Sequence, residues 1–280
     1  MPELPEVETT IRDLKILKNI KIIRINVYTK KLRYSVPNSL NKLIKDNKIV
    51  KIHRIAKYII IDFSNNFSLI IHLGMSGRLK IVKSVFKKEK HDHLKIEFEK
   101  NFFLIFNDPR KFGFLDISKS SKISSLKYIS ILGLDALSKK LDANYIYTKI
   151  HKSAVPIKQI LLNQHIVSGI GNIYANEILF DAKISPFVRG NEIKISQIMR
   201  LLKSIKKILN KAIIFRGSSI KNFRSTNGTI GNFQSNFKVY DKEGSRISKF
   251  KIKKTSQYGR ATYYCPELQR DVKNIEDNLN

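Results

Sequence analysis

Several things are scarce in this sequence. Of 280 residues one is cysteine, Cys265, which excludes an internal disulfide framework and any all-cysteine metal site. No apolar run reaches the ~18 residues of a membrane span. The opening Met1-Pro2-Glu3 is acidic where a secretory leader needs a basic segment. No internal repeat stands out. These absences point to a reducing cytoplasm and no membrane partner. Acidic side chains are also few, 23 against 53 lysines and arginines, and the formal net charge is +30. Such an excess favours a polyanionic partner, most often nucleic acid. A genome rich in A and T would also supply part of it through Lys, Ile and Asn codons. With 42% hydrophobic residues the chain has enough apolar material to bury a core.

The periodicity changes along the chain. Val7, Ile11, Leu14 and Leu17 recur every three or four residues, which predicts a helix opening at Pro5. Short β-branched and aromatic runs follow at Ile20–Tyr28, Ile49–Ile55, Tyr58–Phe63, Phe67–His72, Leu94–Phe98 and Phe102–Phe106. Their polar separators are spaced as in a sandwich or barrel. A second short helix is predicted over Ser39–Lys45. From Asn144 to about Phe215 the period is helical, and the last fifty residues read as short hairpins. An α+β multidomain chain is expected: a β-sandwich domain with flanking helices over 1–130, a helical domain over 131–225, and a C-terminal β-hairpin finger over 226–280.

Pro2 and its neighbours can be read in two ways. Once Met1 is removed, Pro2 becomes a free secondary amine, and a terminal amine has a pKa of about 8 against about 10.4 for lysine. A neutral amine can attack an electrophilic carbon and form an iminium, while Glu3 and Glu6 could move protons. Proline in a first turn with acids around it is equally an ordinary helix start. His91 and His93 admit a metal reading, because alternate positions of a strand share a face, although no third ligand lies nearby in sequence.

The start Met1-Pro2-Glu3-Leu4-Pro5-Glu6-Val7-Glu8-Thr9 resembles that of the bacterial formamidopyrimidine-DNA glycosylases. Further similar motifs follow in the same order. They are Ala56-Lys57-Tyr58, His72-Leu73-Gly74-Met75-Ser76-Gly77, Lys90-His91-Asp92-His93, Asp108-Pro109-Arg110-Lys111-Phe112-Gly113, Gly169-Ile170-Gly171-Asn172-Ile173-Tyr174 and Gly259-Arg260-Ala261-Thr262-Tyr263-Tyr264-Cys265. The resemblance spans nearly the whole chain.

It implies an enzyme, a bifunctional DNA glycosylase and AP lyase of base excision repair. Such an enzyme excises oxidised purines from duplex DNA as a monomer, in a basic cleft between sandwich and helical domain. Pro2 would be the nucleophile at the sugar C1′ and Glu3 its acid–base partner. Lys57 would assist β-elimination, and Arg260 would grip phosphate and serve δ-elimination. Eversion of the damaged nucleotide leaves a hole in the stack. By resemblance Met75 and Phe112 fill it while Arg110 faces the orphaned cytosine. His91 and Asn172 would touch the DNA backbone, with Asn172 a suitable helix N-cap in a helix–two-turns–helix. Where the family carries a phosphate-binding lysine cluster, this chain aligns Ser153 or Ala154, with Lys152 as a substitute. The loop Arg216–Phe223, with Gly217, Ser218 and Ser219, corresponds to a lid over the everted base.

The family usually ends in a zinc finger of two Cys-x-x-Cys pairs. Here only Cys265 remains: the fourth position is Leu268, and the first pair falls within Ser245–Phe250, which holds neither Cys nor His. A structural zinc needs four ligands, so neither zinc nor any other cofactor is expected. Two other functions remain open: an endonuclease VIII-like glycosylase for oxidised pyrimidines, and a non-catalytic DNA-binding remnant. Leu4 and the Arg110–Phe112 arrangement speak against the first, and retention of Pro2, Glu3 and Lys57 against the second.

Overall fold

The computed structural model describes residues 1–83, 85–218 and 231–269. The backbone divides into two compact units, Met1–Ile131 with Ala212–Gln234, and Leu132–Lys211 with Ser235–Asn280. Ala212–Gln234 is thus grouped with the sandwich.

In the first unit α1 spans Leu4–Leu14, with Glu3 as its N-cap and proline in its first turn. Val7, Ile11 and Leu14 are buried, as their spacing requires. Removing each such side chain from water contributes about 1.5–3 kcal/mol. Strands β1 (Ile22–Val27), β2 (Ile49–Ile55), β3 (Tyr58–Phe63) and β4 (Phe67–His72) lie close to the predicted runs, and α2 spans Leu40–Ile44. They are followed by β5 (Arg78–Lys83), β6 (Asp92–Phe98), β7 (Phe102–Asn107), β8 (Phe114–Lys119) and the short helix α3 (Lys127–Ser130).

Two antiparallel sheets, ordered β1-β6-β7-β5 and β2-β3-β4-β8, face each other across one core. Ile25, Ile96 and Phe106 enter it from one sheet; Ile61, Leu69 and Leu115 enter from the other. Ile60 and Ile70 point the opposite way and are covered by Ile123. This second layer explains why β3 and β4 are almost continuously apolar rather than alternating. β5 and β8 have no counterpart among the predicted runs. Alternating cations in Arg78-Leu79-Lys80-Ile81, and Asp116 with Ser118 in β8, interrupt the apolar signal.

The second unit contains β9 (Leu134–Asp135), paired in parallel with β10 (Val167–Ser168), and the helices α4 (Ala143–Ile150), α5 (Ile157–Leu162), α6 (Asn172–Asp181) and most of α7 (Ile195–Ile214). Two hairpins close it, β11 (Arg246–Ile247) with β12 (Phe250–Lys251), and β13 (Lys253–Gln257) with β14 (Arg260–Tyr264). Among the described residues no helix is long and apolar enough to cross a membrane.

Candidate active site and nucleic-acid interface

The N-terminus is an organised structure rather than a frayed end. Pro2 is buried while Met1 is 47% exposed and open to trimming. Glu3 and Glu6 are each 1% exposed. They form a reciprocal cap in which the Glu3 amide donates to Glu6 Oε2 at 2.8 Å. Further along α1, Glu8 accepts from Arg54 Nε at 3.2 Å, and Arg54 also donates to Ala56 O at 3.0 Å. This link joins α1 to the two-residue turn Ala56-Lys57 between β2 and β3, where Ala56 takes φ +52°.

On that turn Lys57 is only 8% exposed, so it is not one more solvated lysine. Its charge acts on His72, at the end of β4. Burial first, then the Lys57 and Arg33 charges, push the His72 pKa down to about 4. The neutral ring accepts from the Gly74 amide through Nδ1 at 3.1 Å and stacks on Phe114, with centroids 5.6 Å apart. His72 was visible in its motif but carried no assigned role.

Met75 and Phe112 are both exposed, at 43% and 44%. Arg110 lies over the Phe112 ring at 4.6 Å. The loops that carry them are joined by Asp108, which is fully buried. Its Oδ1 accepts from Ser76 Oγ at 2.5 Å and from the Arg110 amide at 3.3 Å, and its Oδ2 accepts from the Gly113 amide at 2.8 Å. The two loops meet backbone to backbone: a Cβ on Gly113 would stand 2.7 Å from His72 O.

His91 lies in the turn before β6, with φ +70°, and not on the strand. His93 is buried, and its Nε2 donates to Asp108 O at 2.9 Å. The shared strand face that a metal pair needs is therefore not formed, because the backbone turns between the two.

In the second unit Gly171, not Asn172, is the N-cap of α6. The cap moves back one residue because Gly171 holds the extended backbone, so Asn172 starts the helix. Its side chain donates instead to Ala261 O at 3.1 Å, which brings it beside Arg260. Gln164 braces the preceding double turn by donating to Ile170 O and accepting from the Gly169 amide, where φ is +102°. Arg260 is exposed and follows the Tyr258-Gly259 turn, whose φ values are +51° and +72°.

Beneath this hairpin lies Lys158 of α5, fully buried. Its Nζ donates to Ala261 O at 2.8 Å and Thr262 Oγ1 at 2.7 Å. Burial first, then the Arg260 charge, bring its pKa down to about 8. Lys152 stands exposed in the turn after α4, so the lysine placed beside Asn172 and Arg260 is Lys158. Its signal in the sequence was a cation set among Ile157, Ile160 and Leu161.

Gly217 and Ser218 are buried, and Ser218 donates to Glu6 Oε1 through its amide at 2.7 Å. Ser219 lies outside the described residues.

Where the family's first cysteine pair would stand, β11 and β12 make a tight hairpin turning at Ser248, φ +55°. Cys265 is fully buried, and burial pushes its thiol up. Its amide donates to Gln269 Oε1 at 2.8 Å, and Gln269 in turn donates to Ile184 O. Val239, Ile252 and Tyr263 form a small apolar core. Beside it the Glu177 carboxylate accepts from the amides of Lys238, Val239 and Tyr240 at 2.8–2.9 Å. Burial raises the Glu177 pKa, and these donors with Lys242 oppose the rise. Glu177 has no role in the motifs above; with Asn176 it is a buried polar residue in the middle of α6.

Two family models match the chain. The model described as formamidopyrimidine-DNA glycosylase N-terminal domain matches residues 1–115, and that described as formamidopyrimidine-DNA glycosylase H2TH domain matches residues 132–224. A formamidopyrimidine-DNA glycosylase of Zymomonas mobilis is 41% identical over 272 residues, covering 96% of this chain and 100% of the relative. One from Rickettsia canadensis is 39% identical over 277 residues, covering 96% and 99%. Among solved structures, a complex between the Lactococcus lactis Fpg and an abasic site containing DNA superposes with a TM-score of 0.89. It is 35% identical and covers 96% of this chain and 100% of that chain. The wild-type Lactococcus lactis Fpg (MutM) with an oxidized pyrimidine containing DNA gives a TM-score of 0.88 at the same identity and coverage.

Proposed function

Because the chain belongs to the formamidopyrimidine-DNA glycosylase family, we propose that Pro2, freed by removal of Met1, is the nucleophile that excises oxidised purines from damaged duplex DNA. The protein is a DNA glycosylase of base excision repair. The Pro2 nitrogen attacks C1′ as the bond to the base breaks, and the departing base takes up a proton. The attacking amine gives up its proton, and the sugar ring opens as the C1′–O4′ bond breaks and O4′ takes up a proton; the resulting iminium makes the C2′ proton acidic. Its removal expels the 3′ phosphate, and a second elimination expels the 5′ phosphate.

Glu3 serves the protons of the first step and Lys57 those of the elimination. Arg260, Asn172, His91 and a lysine, Lys152 or Lys158, hold phosphates as cations or hydrogen-bond donors. Met75, Arg110 and Phe112 fill the space left by the everted nucleotide. The lesions are 8-oxoguanine and formamidopyrimidines; the protein works as a monomer in the cytoplasm. One observation carries the reading: a buried Pro2-Glu3 start, capped by Glu6, is tied through Glu8 and Arg54 to the turn that carries the buried Lys57.

The reading includes a finger hairpin without metal. Its support is the donor set, in which one protonated, buried thiol stands where zinc needs four ligands. Packing around Tyr263 and the Glu177 bonds holds the hairpin instead.

Borohydride trapping on a duplex carrying 8-oxoguanine tests the nucleophile. Pro2→Gly should abolish the covalent adduct yet keep duplex affinity, which rests on phosphate contacts. Full trapping by that variant would move the nucleophile elsewhere. No trapping by the unmodified protein would leave a non-catalytic DNA binder, and active material that retains Met1 would refute the mechanism. Because the Lactococcus lactis Fpg has been crystallised with an oxidized pyrimidine containing DNA, excision should also be compared on thymine-glycol duplexes. A preference for those would favour the endonuclease VIII-like alternative.

A further inference from the structure

Helix α7 ends in an unusual way. After Ile214 the chain takes two successive left-handed residues, Arg216 at φ +62° and Gly217 at φ +75°. The Gly217 amide donates back to Ala212 O at 2.8 Å, closing the helix end. Glycine is the usual occupant of the first left-handed position, because a Cβ there is strained. This chain places arginine there. The arginine reaches α1, where Nη2 meets Asp13 Oδ1 at 2.6 Å and Oδ2 at 2.7 Å, and the Asp13 side chain is only 6% exposed. Charge-assisted bonds of this length are the strong ones, and they offset the strained backbone.

The same stretch holds a second carboxylate. Ser218 donates to Glu6 Oε1 through its amide at 2.7 Å and its hydroxyl at 3.1 Å. Gly217 is indispensable here, since a Cβ would stand 2.8 Å from Glu6 Oε1. Glu6 and Asp13 are seven residues apart, two turns along one face of α1. Across from them, residues 231–233 close onto 215–218: Asn232 N donates to Phe215 O at 2.9 Å, and Phe233 N to Gly217 O at 3.0 Å. A closed neck of backbone is thus fastened to α1 at two carboxylates. Glu6 faces both ways, because its other oxygen accepts the Glu3 amide.

From this geometry we infer that Asp13, Arg216 and Glu6 are positioning residues: the Asp13–Arg216 pair holds the neck so that Ser218 and Glu6 fix Glu3, and with it the Pro2 amine, in reacting geometry. The inference rests on the proposed role of Pro2 and Glu3. It separates Arg216 from the groups that touch DNA, since its guanidinium is turned to Asp13. A helix cap with no such role would affect stability alone.

The test uses the full chain with Arg216→Gln, Arg216→Gly and Arg216→Lys, a duplex carrying 8-oxoguanine, and amide hydrogen exchange on the free protein. Arg216→Gln should slow single-turnover base release about 10-fold, because sub-ångström misplacement of reacting groups is enough for that. Duplex affinity should be unchanged. Arg216→Gly relieves the backbone strain, so it should melt no lower than Arg216→Gln yet lose as much activity. Arg216→Lys should recover most of the rate, since one nitrogen makes both bonds to Asp13. The Ser218 and Glu3 amides should exchange faster in the Gln and Gly variants.

Base release at the unmodified rate in both those variants, or a loss that simply follows melting temperature, would overturn the inference. Unchanged exchange at Ser218 and Glu3 would do so as well. If the unmodified protein neither releases base nor traps, the proposed reaction fails, while the exchange measurement still decides whether the pair holds the neck.

Discussion

The sandwich and the terminal hairpins support the side chains proposed to act on DNA by different physics. In the sandwich two sheets share a continuous apolar core, and the loops carrying Lys57, Met75 and Arg110 rest on it. The hairpin that presents Arg260 has only a small core around Val239, Ile252 and Tyr263. Polar groups do the remaining work there: Lys158 holds Ala261 and Thr262, Asn176 accepts the Tyr263 amide, and Glu177 takes three amides. Replacing a side chain such as Glu3 or Lys57 in the first region should therefore harm activity before structure. In the second, replacing a polar side chain should harm structure first.

The largest expected effect is Glu3→Gln. The amide oxygen can keep the helix cap, but the acid–base group is gone, so base release should fall about 10²–10⁴-fold with the melting temperature nearly unchanged. A comparable fall in melting temperature would erase the contrast.

Next comes Glu177→Leu, which leaves three buried amides without an acceptor and should destabilise the second unit by about 3 kcal/mol. Urea unfolding measures the loss, and hydrogen exchange should show it at residues 238–240. If only activity changed, the polar latch would be misread.

A smaller effect is expected from Lys158→Met, and it depends on pH. The folded pKa, about 8, lies below the ordinary 10.5, so between those values the unfolded chain binds more protons. Stability of the unmodified protein should rise with pH across that window, and the burial penalty is felt in full below it. The Met variant should lack the rise when urea midpoints are followed from pH 7 to 10. Parallel curves would show that Lys158 is not withdrawn from water.

The smallest effect expected is from chelator. Melting temperature and trapping should not respond to it, and native mass spectrometry should find no zinc. One stoichiometric zinc would overturn the metal-free reading.

Much of this was legible beforehand, for reasons that differ by element. Helix α1 and strands β2, β3 and β4 follow directly from apolar spacing. β5 was hidden because its cations alternate with apolar residues. The pentapeptide Pro2–Glu6 announces reactive chemistry or a helix start; the fold shows the helix start with its reciprocal cap, and the reactive role is the proposal. Asn172 was expected to cap a helix, whereas Gly171 caps it and Asn172 holds the hairpin. His91 and His93 read as neighbours on a strand, but His91 is itself left-handed and stands in the turn before β6 begins. Asp13 resembles an ordinary surface charge in a basic chain, while Lys158 and Glu177 stand among apolar neighbours in sequence that do not say which groups they meet.

Residue order by itself determined which chemical groups are present and which stretches must hide from water, because amphipathic period and motif spacing are local properties. It also set the ligand shortage around Cys265. The choice of which ions go inside, and which amides they receive there, was made only by tertiary packing. Asp13 meets Arg216 and Glu177 meets Lys238 across long stretches of chain, and such pairings are decided by burial, which no local pattern records.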